Sequence, residues 1–195
     1  MKKGDQAALA DLFSCYYPDL YHYGLKILHL PDLIDDSIQD VFIRIWEKRG
    51  TLGEVLNPQA YLISCLRRKL FENKEKYFGH DLPDTTDVET QAAFLFEPAE
   101  FMEVEETTEQ LRQSMIRAIN RLPERQRELI LLRFYNNLPY REIALIMNIN
   151  EQSVKNLMQR ALTHLRLHTN RQLQEGVDSL KDLRLTLFVF FRKKN

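Results

Sequence analysis

The chain has 195 residues, of which 44% are hydrophobic and 10% aromatic, so the sequence favours one large or two small folded domains over a disordered chain. The formal net charge of −1 would be unusual for a nucleic-acid-binding protein if its charges were evenly distributed. The sequence starts without an apolar signal-peptide core, and its 2 cysteines lack metal-binding spacing. We therefore expect a cytoplasmic protein with two buried thiols and no metal or other cofactor.

The first part of the chain predicts three helices, because its apolar residues recur at steps of three and four. The first helix continues to Ile27, and we expect it to be bent or broken at Pro18. The second is expected to have Asp32 as its N-cap and to bury one face as far as Trp46. The third begins at Pro58, since proline is favoured in the first turn of a helix.

The charges divide the chain into segments of different sign. Residues 1–78 contain 11 basic and 11 acidic side chains, residues 79–111 contain 10 acidic side chains and no Lys or Arg, and residues 112–195 contain 16 basic and 7 acidic side chains. The acidic segment also has weak periodicity, which predicts a linker between two small helical domains of an all-α protein. The predicted boundaries are 1–78 for the first domain, 79–109 for the acidic linker, 110–171 for the second domain and 172–195 for an apolar C-terminal extension.

The second domain predicts a helix-turn-helix, the motif in which a first helix braces a second one that enters the major groove of DNA. Two helices, at 139–147 and about 151–167, are separated by a three-residue turn, and Asn150 is expected to cap the second helix. The motif needs a small residue where the helices cross, an apolar residue in the turn and an apolar anchor early in the second helix. These three are Ala144, Ile149 and Val154.

The outward face of the second helix of this motif carries side chains that suit DNA. Amide and arginine side chains can hydrogen-bond base edges, while lysine and serine can hold phosphates. After Glu151 the sequence has no acidic residue before Glu175, so this face does not repel the phosphate backbone. The candidate DNA-binding residues are Gln152, Ser153, Lys155, Asn156, Gln159 and Arg160.

Both domains contain motifs that resemble those of RNA polymerase sigma factors. The second domain resembles their fourth-region domain through Leu122-Pro-Glu-Arg-Gln-Arg-Glu-Leu-Ile-Leu-Leu-Arg-Phe, Leu138-Pro-Tyr-Arg-Glu-Ile-Ala, Ser153-Val-Lys and Arg160-Ala-Leu-Thr-His-Leu-Arg166. The first resembles their second-region domain through Tyr16-Tyr17-Pro18, Asp36-Ser-Ile-Gln-Asp-Val-Phe42 with Trp46, and Tyr61-Leu62. The resemblance covers residues 5–78 and 110–168, and with only these two domains the chain is similar to the extracytoplasmic-function (ECF) class, the smallest sigma factors.

The resemblance implies a non-enzymatic transcription initiation factor that directs core RNA polymerase to promoters and helps to melt the minus-ten element. In this family the second helix docks on the clamp helices of the polymerase β′ subunit, which implies polymerase-binding roles for Asp36, Gln39, Asp40 and Arg44. The next loop and helix recognise the minus-ten element, which implies roles for residues 50–57 and for Tyr61, Ser64, Arg67, Arg68 and Phe71. The helix-turn-helix face is implied to read the minus-thirty-five element, and an inhibitory anti-sigma factor is a further implied partner.

Three residues of the third helix qualify this assignment. Family members often carry Asn where this chain has Arg68, and Trp where it has Tyr61, so the bases read near minus ten stay open. An aromatic residue at helical spacing is more often part of a core than of a binding site, and we expect this for Phe71.

Several alternatives stay open on the sequence alone. The chain could be a stand-alone helix-turn-helix regulator that binds operator DNA unaided, or an adaptor that binds polymerase without contacting DNA. The acidic linker could compete with DNA, thread into cationic channels of polymerase, or simply keep the protein soluble. The apolar residues at 180–191 are too few to span a bilayer, and we expect them to pack on the protein itself, with an anti-sigma partner or a membrane surface as alternatives.

Overall fold

The computed structural model describes residues 4–28, 30–78, 96, 106–168, 184, 187 and 191. Every regular element in these ranges is helical, which confirms the predicted all-α class. Within the same ranges no helix is both long and apolar enough to cross a membrane. The chain divides into two compact units, unit 1 (Met1–Ala93) and unit 2 (Phe94–Asn195), and each has its own buried apolar core.

Unit 1 is a three-helix bundle of α1 (Gln6–Ile27), α2 (Pro31–Glu47) and α3 (Pro58–Phe78), in which each helix packs against the other two. Asp5 caps α1, because its carboxylate accepts a hydrogen bond from the backbone nitrogen of Ala7 at 3.0 Å. The largest buried side chains of the bundle are apolar or aromatic, and they are Leu20, Tyr23, Ile34, Ile38, Leu62, Ile63, Leu66 and Leu70.

Proline has different effects at three positions of this bundle. Pro18 lies inside α1, which continues past it as one helix, so the prediction of a break is wrong; the residue four positions earlier, Ser14, is exposed, and water can therefore solvate its carbonyl. The start of α2 at Pro31 also differs from the prediction, since no side chain caps it and Asp32 lies in its first turn. The predicted start of α3 at Pro58 is confirmed.

Close contacts with α2 fix the other two helices of unit 1. Asn73 of α3 donates a hydrogen bond to the hydroxyl of Ser37 at 2.9 Å, and this buried hydroxyl donates to the carbonyl of Leu33 at 2.6 Å. Gly24 lies where α1 approaches α2, and a Cβ atom at this position would be 2.5 Å from Cγ2 of Ile34. Any residue other than glycine at this position would therefore force Ile34 or the two helices to shift.

Unit 2 contains α4 (Glu106–Asn120), α5 (Glu124–Ile130), a π-helical segment (Leu131–Tyr135), α6 (Tyr140–Met147) and α7 (Glu151–His168). The π-helical segment follows directly on α5, and the sequence gave no sign of it. At its end the amide of Asn136 donates to the carbonyl of Leu131, five residues earlier, at 3.0 Å. Phe134, which lies in this segment, is buried in the core.

Residues from the linker and from the C-terminal extension pack on unit 2. The side-chain amide of Asn120 accepts from the backbone nitrogen of Phe96 at 2.8 Å and donates to its carbonyl at 3.1 Å. The ring of Phe191 lies edge-on to Phe96, with centroids 5.4 Å apart, and is nearly parallel to Phe134 at 6.5 Å. Leu187 and Phe191 are buried, so the prediction that the tail packs on the protein itself is confirmed at these two positions.

The two cysteines differ from the prediction in their exposure. Cys15 is exposed, because it shares the outer face of α1 with Asp11 and Pro18, so the prediction of a buried thiol is wrong there. Cys65 of α3 is half-buried, and burial raises the pKa of its thiol. Both are free thiols.

Candidate polymerase and nucleic-acid interfaces

The turn between α6 and α7 has the geometry that a helix-turn-helix requires. Asn148 ends α6 in the left-handed conformation, with φ of 52°, and the amide of Ile149 donates back to the carbonyl of Ala144 at 3.0 Å. Asn150 caps α7 as predicted, because its side-chain oxygen accepts from the backbone nitrogen of Ser153 at 2.7 Å. Ala144 and the anchor Val154 are both buried between the helices, as the motif requires, whereas Ile149 is half-buried.

α7 separates an apolar face from a polar one. Its buried face contains the predicted anchor Val154 together with Met158, Ala161, Leu162 and Leu165. The predicted DNA-binding residues lie on the opposite side, where Gln152, Lys155, Asn156, Gln159 and Arg160 are exposed and Ser153 is half-buried.

Two contacts on this polar face restrict side chains that would otherwise be mobile. The amide of Gln152 donates to the side-chain oxygen of Asn156 at 3.0 Å, and Lys155 forms an ion pair with Glu151 at 2.8 Å. Both pairs are one helical turn apart and are exposed, so each is weak and can be exchanged for a contact with DNA.

The outer face of α2 holds the four predicted polymerase-binding residues. Asp36, Gln39, Asp40 and Arg44 are all exposed, and their steps of three and four place them on one side of the helix. Ile43 lies beside them and is 56% exposed, an apolar side chain that the sequence reasoning missed. A break in the apolar periodicity of α2 was the signal, since Ile43 lies outside the buried spacing.

The predicted minus-ten residues form a strip along α3. Tyr61, Ser64 and Arg67 are half-buried, while Arg68 and Phe71 are exposed. The expectation that Phe71 belongs to the core is wrong, because its ring is 37% exposed and the guanidinium carbon of Arg67 lies 4.7 Å from the ring centre. The strip therefore contains an arginine in contact with an aromatic ring. An aromatic ring can stack on a base of single-stranded DNA, and a cation can neutralise its phosphates.

The loop before α3 presents apolar side chains to solvent. Leu56 is 82% exposed and its neighbour Val55 is 36% exposed. The loop ends at Asn57, whose side-chain oxygen accepts from the backbone nitrogen of Ala60 at 3.1 Å and so caps α3. The sequence reasoning assigned this loop but singled out neither apolar residue.

A groove of about 450 Å³ between α2 and α3 brings the two candidate surfaces of unit 1 together. Asp40 and Arg44 line it from α2, while Tyr61, Arg68 and Lys69 line it from α3. An ion pair of 2.7 Å between Lys69 and Asp40 crosses the groove, and burial raises the pKa of the Tyr61 phenol. Residues assigned to polymerase and residues assigned to DNA are therefore neighbours.

Comparison with known proteins finds a sigma-factor family model in each of the two units. Residues 12–76 match the family model "Sigma-70 region 2", and residues 112–165 match "Sigma-70, region 4". The ECF RNA polymerase sigma factor RpoE of Cereibacter sphaeroides is 27% identical over 175 residues, which cover 84% of this chain and 87% of the relative. The ECF RNA polymerase sigma factor SigX of Bacillus subtilis is 25% identical over 174 residues, with 86% of each chain covered.

A solved structure supports the fold. The sigma factor RpoE from Bartonella quintana, crystallised with the anti-sigma factor NepR, aligns with a TM-score of 0.53 and 20% identity over 79% of this chain and 91% of that one.

The described residues form a helical bundle and a helix-turn-helix, the two parts that together define a class of transcription initiation factors. The two family matches together cover more than half of the length of the chain. The chain belongs to the sigma-70 family, in its ECF class. A stand-alone operator-binding regulator and an adaptor without DNA contact are not favoured, because neither needs both regions.

Proposed function

We propose that residues 1–78 bind core RNA polymerase and the minus-ten element, that residues 110–171 bind the minus-thirty-five element, and that residues 79–109 connect them. This proposal rests on the presence of two exposed polar faces, one on α2 and one on α7, in two separate units of one chain. The protein then works without catalysis of its own and without a cofactor, in the cytoplasm.

Polymerase binding is assigned to the outer face of α2. Asp36, Gln39, Asp40 and Arg44 provide charges and amide groups for the clamp helices of β′, and exposed Ile43 adds an apolar contact at the centre of the face. An interface with a central apolar residue and a polar rim is the usual anatomy of protein–protein contacts.

Promoter binding is divided between α3 and α7. On α3, Phe71 and Tyr61 supply aromatic rings and Arg67 and Arg68 supply charge, so that an unpaired strand is stabilised relative to the duplex. Ser64 lies on the same strip and can donate to a phosphate or base. On α7 the face from 152 to 160 enters the major groove at minus thirty-five.

We also propose that an anti-sigma factor controls this chain. The relative from Bartonella quintana is described in complex with such an inhibitor. The apolar side chains exposed in unit 1, Ile43, Leu56 and Phe71, offer the contact area that a protein inhibitor would cover.

The proposed function is tested by adding the purified chain to core RNA polymerase with DNA templates that contain candidate promoters. We expect transcripts that start at defined positions only when the chain is present. If the chain does not change where RNA synthesis begins, the proposed function is wrong.

A substitution on α7 tests the minus-thirty-five assignment. Replacing an arginine that reads a base costs roughly 1–3 kcal/mol, so Arg160→Ala should lower transcription from a cognate promoter about fivefold or more. Arg125→Ala is the matched control, because Arg125 is an exposed arginine of α5 in the same unit. Equal output from Arg160→Ala and the wild type would remove Arg160 from the site.

A further inference from the structure

Lys69 is a cation of α3 to which the family comparison assigns no role. Its amino group lies 2.7 Å from Oδ2 of Asp40, and the two side chains are 25% and 52% exposed. Asp40 belongs to the proposed polymerase-binding face, whereas Lys69 follows Arg67 and Arg68 on the helix proposed to hold the minus-ten strand. The ion pair therefore connects a polymerase-facing carboxylate with a cation on the DNA-facing helix.

The groove around this pair has the composition of an anion site that is partly occupied by the protein's own carboxylate. Arg44, Lys48 and Arg68 line it together with Lys69, and the carboxylates of Asp40, Glu47 and Glu72 line the same groove. A carboxylate oxygen at hydrogen-bond distance from a lysine occupies the position that a phosphate oxygen takes in a protein–DNA contact. Loss of the Asp40 charge would leave the groove clearly cationic.

We propose that the groove between α2 and α3 binds a backbone phosphate of the single-stranded promoter through Lys69. In the free protein Asp40 forms an ion pair with Lys69 and so keeps Lys69 from the phosphate. This inference rests on the proposed function, because polymerase is what would engage Asp40. When the clamp helices of β′ bind the Asp40 carboxylate, Lys69 loses its ion-pair partner and becomes available to a DNA phosphate. Binding of polymerase thus increases the affinity of unit 1 for the strand.

The strength of the pair suits such an exchange. Both side chains reach solvent, and ion pairs of this kind contribute little net free energy because water and salt compete for each partner. A new partner for Asp40 or for Lys69 can therefore replace the ion pair at a small cost in free energy. A deeply buried pair would resist the same exchange.

The experiment measures binding of the full chain, without polymerase, to a fluorescently labelled single-stranded oligonucleotide by anisotropy at several salt concentrations. Asp40→Asn should bind about twofold to fivefold more tightly than the wild type, the effect of releasing one exposed ion pair. One additional phosphate contact should also steepen the plot of log affinity against log salt by about 0.7. Glu47→Gln, which removes a carboxylate from the same groove, is the matched control for net charge.

The double variant Asp40→Asn/Lys69→Gln decides whether Lys69 carries the effect. We expect it to lose the gain of Asp40→Asn, in both affinity and salt dependence. The proposal is overturned by an unchanged affinity of Asp40→Asn, by an equal gain in Glu47→Gln, or by a gain that persists in the double variant. These outcomes are independent of promoter-specific transcription by the wild type, which tests the proposed function separately.

Discussion

At Gly24 the absence of a side chain sets the distance between α1 and α2, since a Cβ atom there would lie 2.5 Å from a methyl group of the fully buried Ile34. Gly24→Ala would force the helices apart at a cost of roughly 1–3 kcal/mol, against about 1 kcal/mol gained from the better helix propensity of alanine. We expect a net loss of up to about 2 kcal/mol in the free energy of unfolding of unit 1. Urea denaturation followed by the fluorescence of Trp46, the only tryptophan of the chain, measures this loss.

Gly50→Ala provides the comparison for this substitution. No atom lies within 4 Å of a Cβ placed at Gly50, so the same chemical change should leave stability within about 0.5 kcal/mol of the wild type. A Gly24 variant as stable as the Gly50 variant would contradict the close approach of the two helices.

Single residues also show where reasoning from sequence fails. We expected Cys15 in the core because thiols are usually buried, and Phe71 because it is an aromatic residue at helical spacing, although the family resemblance also placed Phe71 at the minus-ten site. Both lie on exposed faces of their helices. Helical position was a better guide than residue type, because Cys15 does not follow the three- and four-residue spacing of the buried residues of α1. The polar face of α7 was placed correctly because periodicity alone fixes it.

At the scale of elements, the C-terminal extension contributes an aromatic residue to the core of unit 2. Phe191 is 2% exposed and packs against Phe96 and Phe134. Removal of a buried phenylalanine side chain costs about 3–5 kcal/mol, so Phe191→Ala should destabilise unit 2 by that amount. Thermal unfolding followed by far-ultraviolet circular dichroism measures the effect. Leu145→Ala should be nearly neutral, because Leu145 is 66% exposed in the same unit, and equal effects of the two variants would contradict the packing.

Local signals explain which elements could be predicted. Proline at position 58 and asparagine at position 150 act within one helical turn, so the starts of α3 and α7 were predicted from neighbouring residues. The π-helical segment could not be predicted in this way, since its hydrogen bonds depend on how its side chains pack. The contact of Phe191 with Phe96 joins residues far apart in sequence, and periodicity carries no information about such partners.

At the scale of the whole molecule, the chain keeps opposite charges in separate segments. The acidic segment (79–111) has 10 carboxylates and no basic residue, while residues 112–195 carry 16 basic side chains. Of the three interpretations of this segment, competition with DNA follows from its attachment: a polyanion tethered to a cationic DNA-binding unit is at a high effective concentration, and we propose that it competes with DNA phosphates for the same cations. A net charge near zero is therefore compatible with a DNA-binding protein whose contact with DNA depends on its partner.

This competition predicts how the free chain responds when the acidic segment is neutralised. The triple variant Glu100→Gln, Glu103→Gln and Glu105→Gln should bind duplex DNA without a promoter about tenfold more tightly at low salt, because fewer carboxylates compete for the cations of residues 112–195. The gain should shrink as salt rises, since the Debye length falls from about 30 Å at 0.01 M to about 8 Å at 0.15 M. Anisotropy with a labelled duplex measures both effects. The control is the triple variant Asp11→Asn, Asp32→Asn and Glu54→Gln, which changes the net charge equally at exposed positions of unit 1. If the two triple variants gain equally, the acidic segment acts only through net charge and does not compete with DNA.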